Sequence, residues 1–326
     1  MTQSGDIDLS IIIVNWNTRD CLRDCLASIF QAADSLVVEA IVVDNASDDG
    51  SVEMVKRDFP HVQLVQNRAN LGFAAACNQG LAIGRGRYAM LLNPDTRIVG
   101  NALQILVQCL DSHPDVGLVG PQILDQEGVV QSSCYEYPSL LNIFFEATLL
   151  FRLFPHSPLF GRYRLANWPH DEKREVDWMV GAALLARREA IQQVGPLDEG
   201  YFLYAEDIDW CYRFWRLGWR VLFYPDAQVI HLENRSAGQR SDAMKIEWSR
   251  SRVRYMRLHH GILPALLTRL MLALGYLLRL VLWSGVWLLA RGTRRDRARQ
   301  RIRQWAPALG WCLGGKLASP RRAASK

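Results

Sequence analysis

Tyr88-Ala-Met-Leu-Leu-Asn93-Pro94-Asp95 is an apolar run that stops at an acid. Five residues of this kind form a short buried strand, and Pro94 cannot donate to a sheet ladder, so it ends the strand just before Asp95. Ligands of open α/β sheets collect at the carboxyl ends of the strands. A carboxylate there is placed to hold a metal ion or a polar ligand. The alternative is a turn acid that caps the next helix.

The flanking sequence supplies the rest of such a sheet. Leu9-Ser-Ile-Ile-Ile-Val-Asn15-Trp-Asn17 is a continuous apolar run, as expected for a strand covered on both faces. Residues 19–33 have helical spacing through Leu22, Cys25, Leu26, Ile29 and Phe30, with Asn17 or Thr18 as N-cap. A second strand over residues 37–43 ends in Asp44-Asn45-Ala-Ser47-Asp48-Asp49-Gly50-Ser51. A helix follows, then a short strand near residues 62–65 and a helix over 73–83. After Asp95 come a helix at 100–111 and a strand at 116–119. This alternation predicts an α/β fold with a doubly wound, mostly parallel sheet. Further on, a strand is expected over 176–187 with Gly181 at its centre, a helix over 206–217, and strands near 219–224 and 228–231. The segment from Tyr135 to Pro169 is rich in aromatics and punctuated by proline. It reads as a loop or short helices over the site or facing lipid, or as an ordinary core insertion.

In a parallel sheet the polar groups after each strand share one edge. These are Asn15 and Asn17, then Asp44, Asn45, Ser47 and Asp49, then Asn93 and Asp95. No Gly-x-Gly-x-x-Gly follows the first strand and no Walker Gly-x-x-x-x-Gly-Lys occurs, which removes support for dinucleotide and P-loop readings. Glu206, Asp207 and Asp209 put three acids at a helix start, where either helix capping or acid–base chemistry accounts for them. His231 ends an apolar run and is a candidate ligand.

Four stretches of the first hundred residues, in order, resemble the nucleotide-sugar half of family 2 glycosyltransferases. They are Ser10-Ile-Ile-Ile-Val-Asn-Trp-Asn17, Val43-Asp-Asn-Ala-Ser-Asp-Asp-Gly-Ser51, Asn67-Arg-Ala-Asn-Leu-Gly-Phe-Ala-Ala-Ala-Cys-Asn-Gln-Gly80 and Leu91-Leu-Asn-Pro-Asp95. Phe202-Leu-Tyr-Ala-Glu-Asp-Ile-Asp-Trp-Cys-Tyr-Arg213 and His231 resemble the acceptor half, so the likeness covers residues 9–235. The Asn-Pro-Asp motif is similar to that of the rhamnosyltransferase-like subgroup. The resemblance implies a GT-A-like fold and an inverting transfer of a sugar, rhamnose among the candidates. The donor would be a nucleotide-diphosphate-sugar and the acceptor a lipid-linked or polysaccharide glycan of the cell surface. It also implies site roles. Asn15, Asn17, Asp44, Asn45 and Asp49 would lie on the nucleotide, with Asp44 and Asp49 on its base or ribose. Asn70, Gly72, Phe73 and Asn78 would shape the loop and helix beside the diphosphate. Asp95 and His231 would hold a divalent metal, Mg²⁺ or Mn²⁺, with Asn93 beside it. Asp207 would be the general base, with Glu206 as its neighbour. The family's usual motif is Asp-x-Asp, so Asn93 replaces an acid with a weaker neutral ligand. The competing reading is a catalytically inactive, membrane-bound glycan-binding subunit. Arg235 and Arg240 are further diphosphate candidates on a closing loop.

Charge is distributed unevenly. Between Arg291 and Lys326 eleven Lys and Arg face Asp296 alone, a net of +10, whereas the whole chain carries +5. Residues 1–290 therefore carry −5. Residues 262–290 are almost wholly apolar, and residues 270–290 approach the roughly 20 needed to cross a bilayer, apart from Arg279. A mid-span arginine is costly. Arg269 and Arg279 lie about 80° apart around a helix. Both are expected to turn toward lipid headgroups, in an interfacial or re-entrant helix pair rather than a true span, with a helix docked onto protein as the alternative. The apolar run before the arginines favours an anionic leaflet over nucleic acid, so no nucleic-acid partner is expected. The expected organisation is a catalytic domain over 1–260 and a membrane-associating extension over 261–326, on the cytoplasmic face of the plasma membrane. The seven cysteines form no Cys-x-x-Cys pair and are expected as free thiols. The N-terminus has no basic n-region and no long apolar run, and no secretory signal is expected there.

Overall fold

The structure, a computed structural model, describes residues 7–232 and 241–315. Its first half runs β1 (Leu9–Asn15), α1 (Arg19–Ala32), β2 (Val38–Asp44), α2 (Ser51–Asp58), β3 (Gln63–Gln66), α3 (Phe73–Ile83), β4 (Tyr88–Leu92), β5 (Thr96–Ile98), α4 (Ala102–Ser112) and β6 (Val116–Leu124). Then come β7 (Cys134–Tyr135), α5 (Leu140–Ala147), α6 (Leu150–Leu153), β8 (Arg174–Glu175), β9 (Trp178–Met179) and β10 (Ala183–Arg187). The chain continues through α7 (Arg188–Val194), α8 (Glu206–Arg216) and β11 (Arg220–His231). Three long helices follow: α9 (Ser241–His260), α10 (Ile262–Leu289) and α11 (Thr293–Gly314).

Every residue of β1 is buried, and the two faces of the strand feed two cores. Leu9, Ile11 and Ile13 pack with Leu22, Leu26 and Ile29 of α1 and Leu106 of α4. Ile12 and Val14 point the other way, toward Ala74, Cys77 and Leu81 of α3. The period of two along a strand makes a continuous apolar run the signature of a sheet covered on both sides.

The main sheet has nine strands in the order β3-β2-β1-β4-β10-β6-β11-β5, with β8 paired to β11. Strands β3, β2, β1 and β4 are mutually parallel, as are β6 and β11. Between these blocks β10 runs antiparallel to both β4 and β6. The sheet is therefore mixed and mostly parallel, of the GT-A type with C-terminal helices.

Three departures from the sequence expectation bear on the site. The single strand expected over 176–187 is broken into β9 and β10 at Gly181, whose N–H leaves the ladder and donates to Asp207. The two strands expected near 219–224 and 228–231 are one strand, β11, with a register shift between Tyr224 and Gln228, where Pro225 lacks a donor. β5 was not expected. It exists because β11 supplies its hydrogen bonds, with His231 opposite Thr96.

The aromatic segment divides its side chains. Phe145, Tyr163 and Trp168 are buried in the core, whereas Phe144 and Phe154 are exposed.

α10 is 28 residues, about 42 Å at 1.5 Å per residue. Its most apolar 18-residue stretch has a mean hydropathy of 1.8 and is one third buried, so by length and composition it could cross a membrane. It packs against α9, α11 and α5. Leu263, Leu266, Leu270, Leu274, Leu277 and Val281 remain exposed along the other side.

The expected orientation of Arg269 and Arg279 toward headgroups is overturned. Arg269 donates to the carbonyls of Trp311, Cys312 and Gly315 at the end of α11. Arg279 donates to those of Glu146 and Ala147 at the end of α5. The last carbonyls of a helix lack intrahelical donors and carry the negative end of its dipole, so a guanidinium finds its partners there. Both arginines turn inward as helix caps and leave the leucine stripe free of charge. The cysteines, all seven, are free and buried.

Gly80 reports the closeness of α3 to β1, since a Cβ there would lie 2.4 Å from Ile12 Cγ2. Gly80→Ala is expected to destabilise by about 1–3 kcal/mol. Gly285→Ala meets no atom within 4 Å on α10 and is expected to be neutral or slightly stabilising. Urea midpoints at constant m-value measure both, and equal midpoints for the two variants would contradict the packing described.

Candidate active site

Parallel pairing of β1 with β2 sets Asn15 opposite Asp44. The two side chains form a buried knot with Ser47. Asn15 Nδ2 donates to Asp44 Oδ1 (2.8 Å) and to Ser47 Oγ (3.0 Å). Ser47 gives its hydroxyl to Asp44 Oδ1 (2.6 Å) and its backbone N–H to Oδ2 (2.9 Å). Asp44 is 2% exposed, and its carboxylate is held by three donors. Asn17 has φ +55° and tightens the same turn by accepting the N–H of Asp48. Thr18 sits at the N-cap of α1, but its hydroxyl donates to Asn15 Oδ1, so it caps nothing. Asp49 takes over that role. Its Oδ2 accepts the N–H of Arg19 (2.8 Å) and its Oδ1 that of Ser51 (3.0 Å), the first residues of α1 and α2. One carboxylate thus serves two helix starts, where anions are favoured.

The asparagines of the second half of the nucleotide motif are used for cross-bracing. Asn45 Nδ2 donates to the carbonyl of Gly72, and Asn45 Oδ1 accepts from Asn67. Asn70 Oδ1 accepts the N–H of Gly72. Gly72 has φ +89°, and a Cβ there would come within 2.5 Å of Phe202 O. Only glycine fits that conformation and that approach. Phe73 N–H donates to the same Phe202 carbonyl (2.8 Å). Asn78 pairs its amide with both backbone groups of Leu197. This corner therefore clamps the first half of the chain onto the loop that leads to Asp207.

Asn93, Asp95 and His231 meet because β5 pairs with β11. His231 Nε2 lies 3.3 Å from Asp95 Oδ1 and 3.5 Å from Asn93 Nδ2. Asp95 is 4% exposed. Adjacent ligands of an octahedral ion with bonds of about 2.1 Å are about 3 Å apart, close to the Asp95–His231 separation. The donor set is nonetheless short: among the described residues no three His, Cys, Asp or Glu side chains group to hold a metal. Asp95, His231 and the amide of Asn93 could supply part of a coordination shell, with the remainder from ligand oxygens and water.

Asp207 lies in the first turn of α8. Its Oδ2 accepts the N–H of Gly181 (3.0 Å), and Oδ1 accepts that of Ile208 (2.8 Å). The neighbouring peptide binds Asn93, whose N–H donates to Ala182 O. Residues 181–182 thereby hold Asp207 and Asn93 side by side. Burial raises the pKa of Asp207 to about 6 despite the two N–H donors, although the residue keeps some exposure to solvent. Glu206 is 5% exposed with Oε2 unpartnered among the described residues. Burial first, and the charge of Asp207 second, push its pKa well above the usual carboxylate range. Asp207, with two N–H donors, is therefore the better placed of the two to carry charge.

Tyr204 and Ala205, with φ +68° and +64°, precede this pair. Two non-glycine residues in the left-handed region cost about 1–3 kcal/mol each, the kind of strain that persists where a site requires the geometry.

Asp209, the third acid, has a different environment. Burial opposes its ionisation, but His259 Nε2 at 2.7 Å and Arg213 Nε at 2.8 Å outweigh it and hold its pKa below the ordinary value. The Asp209–Arg213 spacing of four on a helix was legible in the sequence. The roles of Gly181 and His259 carried no such signal, because their partners come from distant segments. Arg235 and Arg240 lie outside the described residues.

Two family models match the chain. The family described as glycosyl transferase family 2 matches residues 10–161, and glycosyl transferase family group 2 matches residues 88–312. N-acetylglucosaminyl-diphospho-decaprenol L-rhamnosyltransferase of Mycobacterium tuberculosis is 31% identical over 242 residues, 71% of this chain and 78% of that protein. The low-salt glycan biosynthesis hexosyltransferase Agl10 of Haloferax volcanii is 27% identical over 63% of this chain and 61% of its own length. Among solved structures, the mannosyltransferase PcManGT of Pyrobaculum calidifontis in complex with GDP-Man and Mn²⁺ has a TM-score of 0.54 at 16% identity. The match covers 94% of this chain and 86% of that one. GalNAc-T7 with UDP, GalNAc and Mn²⁺ has a TM-score of 0.57 at 16% identity, over 95% of this chain and 56% of that one. At such identities the likeness is one of fold.

Asp49→Ala removes the cap from two helices and is expected to lower stability by about 1–4 kcal/mol, at about 0.5–2 kcal/mol per cap. Asp49→Asn, which keeps an acceptor, should recover part of the loss. Chemical denaturation followed by far-UV circular dichroism measures both, and a midpoint unmoved by Asp49→Ala would refute the double-cap geometry.

Proposed function

Because this chain belongs to glycosyl transferase family 2 and is a glycosyltransferase, we propose that it inverts the anomeric centre as it transfers a sugar from a nucleotide diphosphate to a lipid-linked glycan acceptor. The observation that carries this reading is Asp207. It is a desolvated but reachable carboxylate, held one peptide away from the Asn93–Asp95–His231 cluster. Inversion needs a base on the acceptor side and positive charge on the leaving diphosphate.

In this reading Asp207 accepts the proton of the acceptor hydroxyl. The hydroxyl oxygen attacks the anomeric carbon of the donor, and the bond to the nucleotide diphosphate breaks on the opposite face. Burial disfavours charge on Glu206 and so limits repulsion beside the base. Asp44, Asn15 and Asn17 line the strand ends where the base and ribose would rest. Asp49 stiffens that edge, and Gly72, Phe73, Asn45, Asn70 and Asn78 shape the wall beside the diphosphate. A divalent cation at Asp95, His231 and Asn93 would supply positive charge to that diphosphate. Imidazole beside carboxylate suits a transition ion such as Mn²⁺ better than Mg²⁺. Rhamnose as the sugar, and a decaprenyl-type diphosphate as the acceptor's carrier, are supported by the mycobacterial relative's name. Cell-surface glycan synthesis fits the same relative. Residues 1–260 act as the catalytic body in this proposal. Residues 261–326 seat it on the cytoplasmic face of the membrane, the leucine stripe of α10 in lipid and the exposed arginines of α11 against anionic headgroups.

Asp207→Asn is expected to lose about 10²–10⁴-fold in kcat with stability preserved. The acid limb of kcat/KM should have its midpoint near pH 6: below it Asp207 is protonated and cannot accept a proton, above it the rate is flat. Chelation should abolish transfer, Mn²⁺ should restore it, and Asp95→Ala should raise the Mn²⁺ needed for half-maximal rate at least about tenfold. Radiolabelled sugar transfer to a prenyl-diphosphate-linked acceptor reads all three. Undiminished turnover in both variants would sink the mechanism.

A further inference from the structure

Tyr204 and Ala205 hold left-handed backbone just before Asp207, and such strain relaxes unless the chain is fixed on both sides. Ahead of the pair, Asn78 holds Leu197, and the N–H of Phe73 holds the carbonyl of Phe202. Behind it, the N–H of Asp209 closes the first turn of α8 on the carbonyl of Ala205. Those contacts belong to the wall of the first half of the chain and to α8 itself. Further anchors of the 198–209 segment come from α9.

Ser251, 2% exposed, donates its hydroxyl to the carbonyl of Leu203 (2.9 Å), the residue before Tyr204. Arg254 forms a fork on Asp198. Its Nη2 donates to Oδ1 (2.8 Å) and Oδ2 (2.6 Å), and its Nε donates to Oδ2 (3.1 Å). The guanidinium packs so closely on the loop that a Cβ on Gly200 would lie 2.0 Å from its Cζ. His259 Nε2 pairs with Asp209 Oδ1 at 2.7 Å, two residues after Asp207. At about 100° per residue, positions 251, 254 and 259 fall within about 140° of the helix circumference, so one side of α9 makes all three contacts.

Elsewhere on its surface α9 is fixed in turn. Ser249 Oγ lies 2.5 Å from Tyr276 Oη of α10, and the buried Arg252 pairs with Glu146 of α5. The helix is therefore a strut with the loop on one side and α5 and α10 on others. Leu203 and Asp198 stand four and nine residues before Asp207, so an effect of Ser251 or Arg254 on that carboxylate passes through the loop. The Arg254 and Asp198 side chains are 35% and 28% exposed, and ion pairs so open to water add little stability. A bidentate fork still fixes direction. Ser251 is buried, and its removal takes a donor from a carbonyl next to the strained pair.

We propose that Ser251 and Arg254 are positioning residues for Asp207. By pinning Leu203 and Asp198 to α9 they hold the left-handed Tyr204–Ala205 backbone that aims the carboxylate at the acceptor hydroxyl. The proposal rests on the reading of Asp207 as the base and adds the device that orients it. A reacting group misplaced by about 1 Å can lose about 10²-fold in rate. The strand ends of β1 and β2, where the nucleotide would rest, make none of these contacts with α9. The rate of transfer should therefore respond, and the KM for the donor should not.

Ser251→Ala and Arg254→Ala are assayed in the full chain with a prenyl-diphosphate-linked acceptor and the member of a dTDP-, UDP- and GDP-sugar panel that the wild type uses fastest. In each, kcat per nucleotide-binding site is expected to fall about tenfold with the donor KM unchanged. In an Asp207→Asn background the same substitutions should cost nothing further, since a base already removed cannot be misaimed. A role confined to fold stability would instead act equally in both backgrounds. Hydrogen–deuterium exchange gives a readout without turnover: it should rise over residues 198–209 and stay level in β1, β2 and β4. Wild-type kcat in both variants overturns the proposal. So does an equal loss in the Asp207→Asn background, or exchange that rises throughout the chain. Should Arg254→Ala fail to fold, Ser251→Ala, which deletes one hydroxyl, decides the matter. Wild-type turnover in Asp207→Asn would remove the base reading and this proposal together. Loss of turnover in Asp207→Asn beside wild-type rates in both α9 variants would remove this proposal alone.

Discussion

The antiparallel entry of β10 between β4 and β6 is the constraint on which the rest depends. It carries residues 181 and 182 to the carboxyl end of β4, where one peptide holds Asp207 and the next holds Asn93. Without that strand the Asp207 carboxylate and the Asp95 cluster would belong to unrelated parts of the chain. With it, they face one another across two backbone hydrogen bonds whose geometry is set by the sheet. The interruption of the strand at Gly181 is part of the same device, since an N–H kept in the ladder could not serve Asp207.

Electrostatics then separates three acids that the sequence places within four residues. Glu206 is buried without a cation, Asp207 is desolvated but has two N–H donors, and Asp209 is buried between His259 and Arg213. The first is driven toward the protonated form and the third toward the ionised form. The second is left between them, near the range in which a carboxylate can both lose and accept a proton. The separation is made by α9 and by the 181–182 turn, neither of which is adjacent in sequence to the acids.

The C-terminal helices show how two charges can be removed from an apolar face. Arg269 and Arg279 sit among leucines, and on helical spacing alone they are exposed snorkelling residues. The ends of α11 and α5 offer bare carbonyls within reach, and a guanidinium satisfies several of them at once. The outcome is an uncharged outer stripe on α10.

Local pattern determined much of this protein. The doubly buried run of β1, the β-α-β order, the strand stop at Pro94-Asp95, the polar strand ends and the long apolar helix before an arginine-rich one are properties of neighbouring residues, and each was readable without coordinates. Tertiary structure decided what distance along the chain hides. It decided the antiparallel strand, the small strand β5 that exists only because β11 pairs with it, and the meeting of His231 with Asp95. It also decided that Asp49 caps two helices, that Asn45 and Asn78 brace rather than project, and that Arg269 and Arg279 turn inward. Hydrophobic period and turn chemistry act over a few residues, so sequence carries them. Strand partners, desolvation and the occupants of helix ends depend on groups up to two hundred residues away, and only the folded chain brings those together.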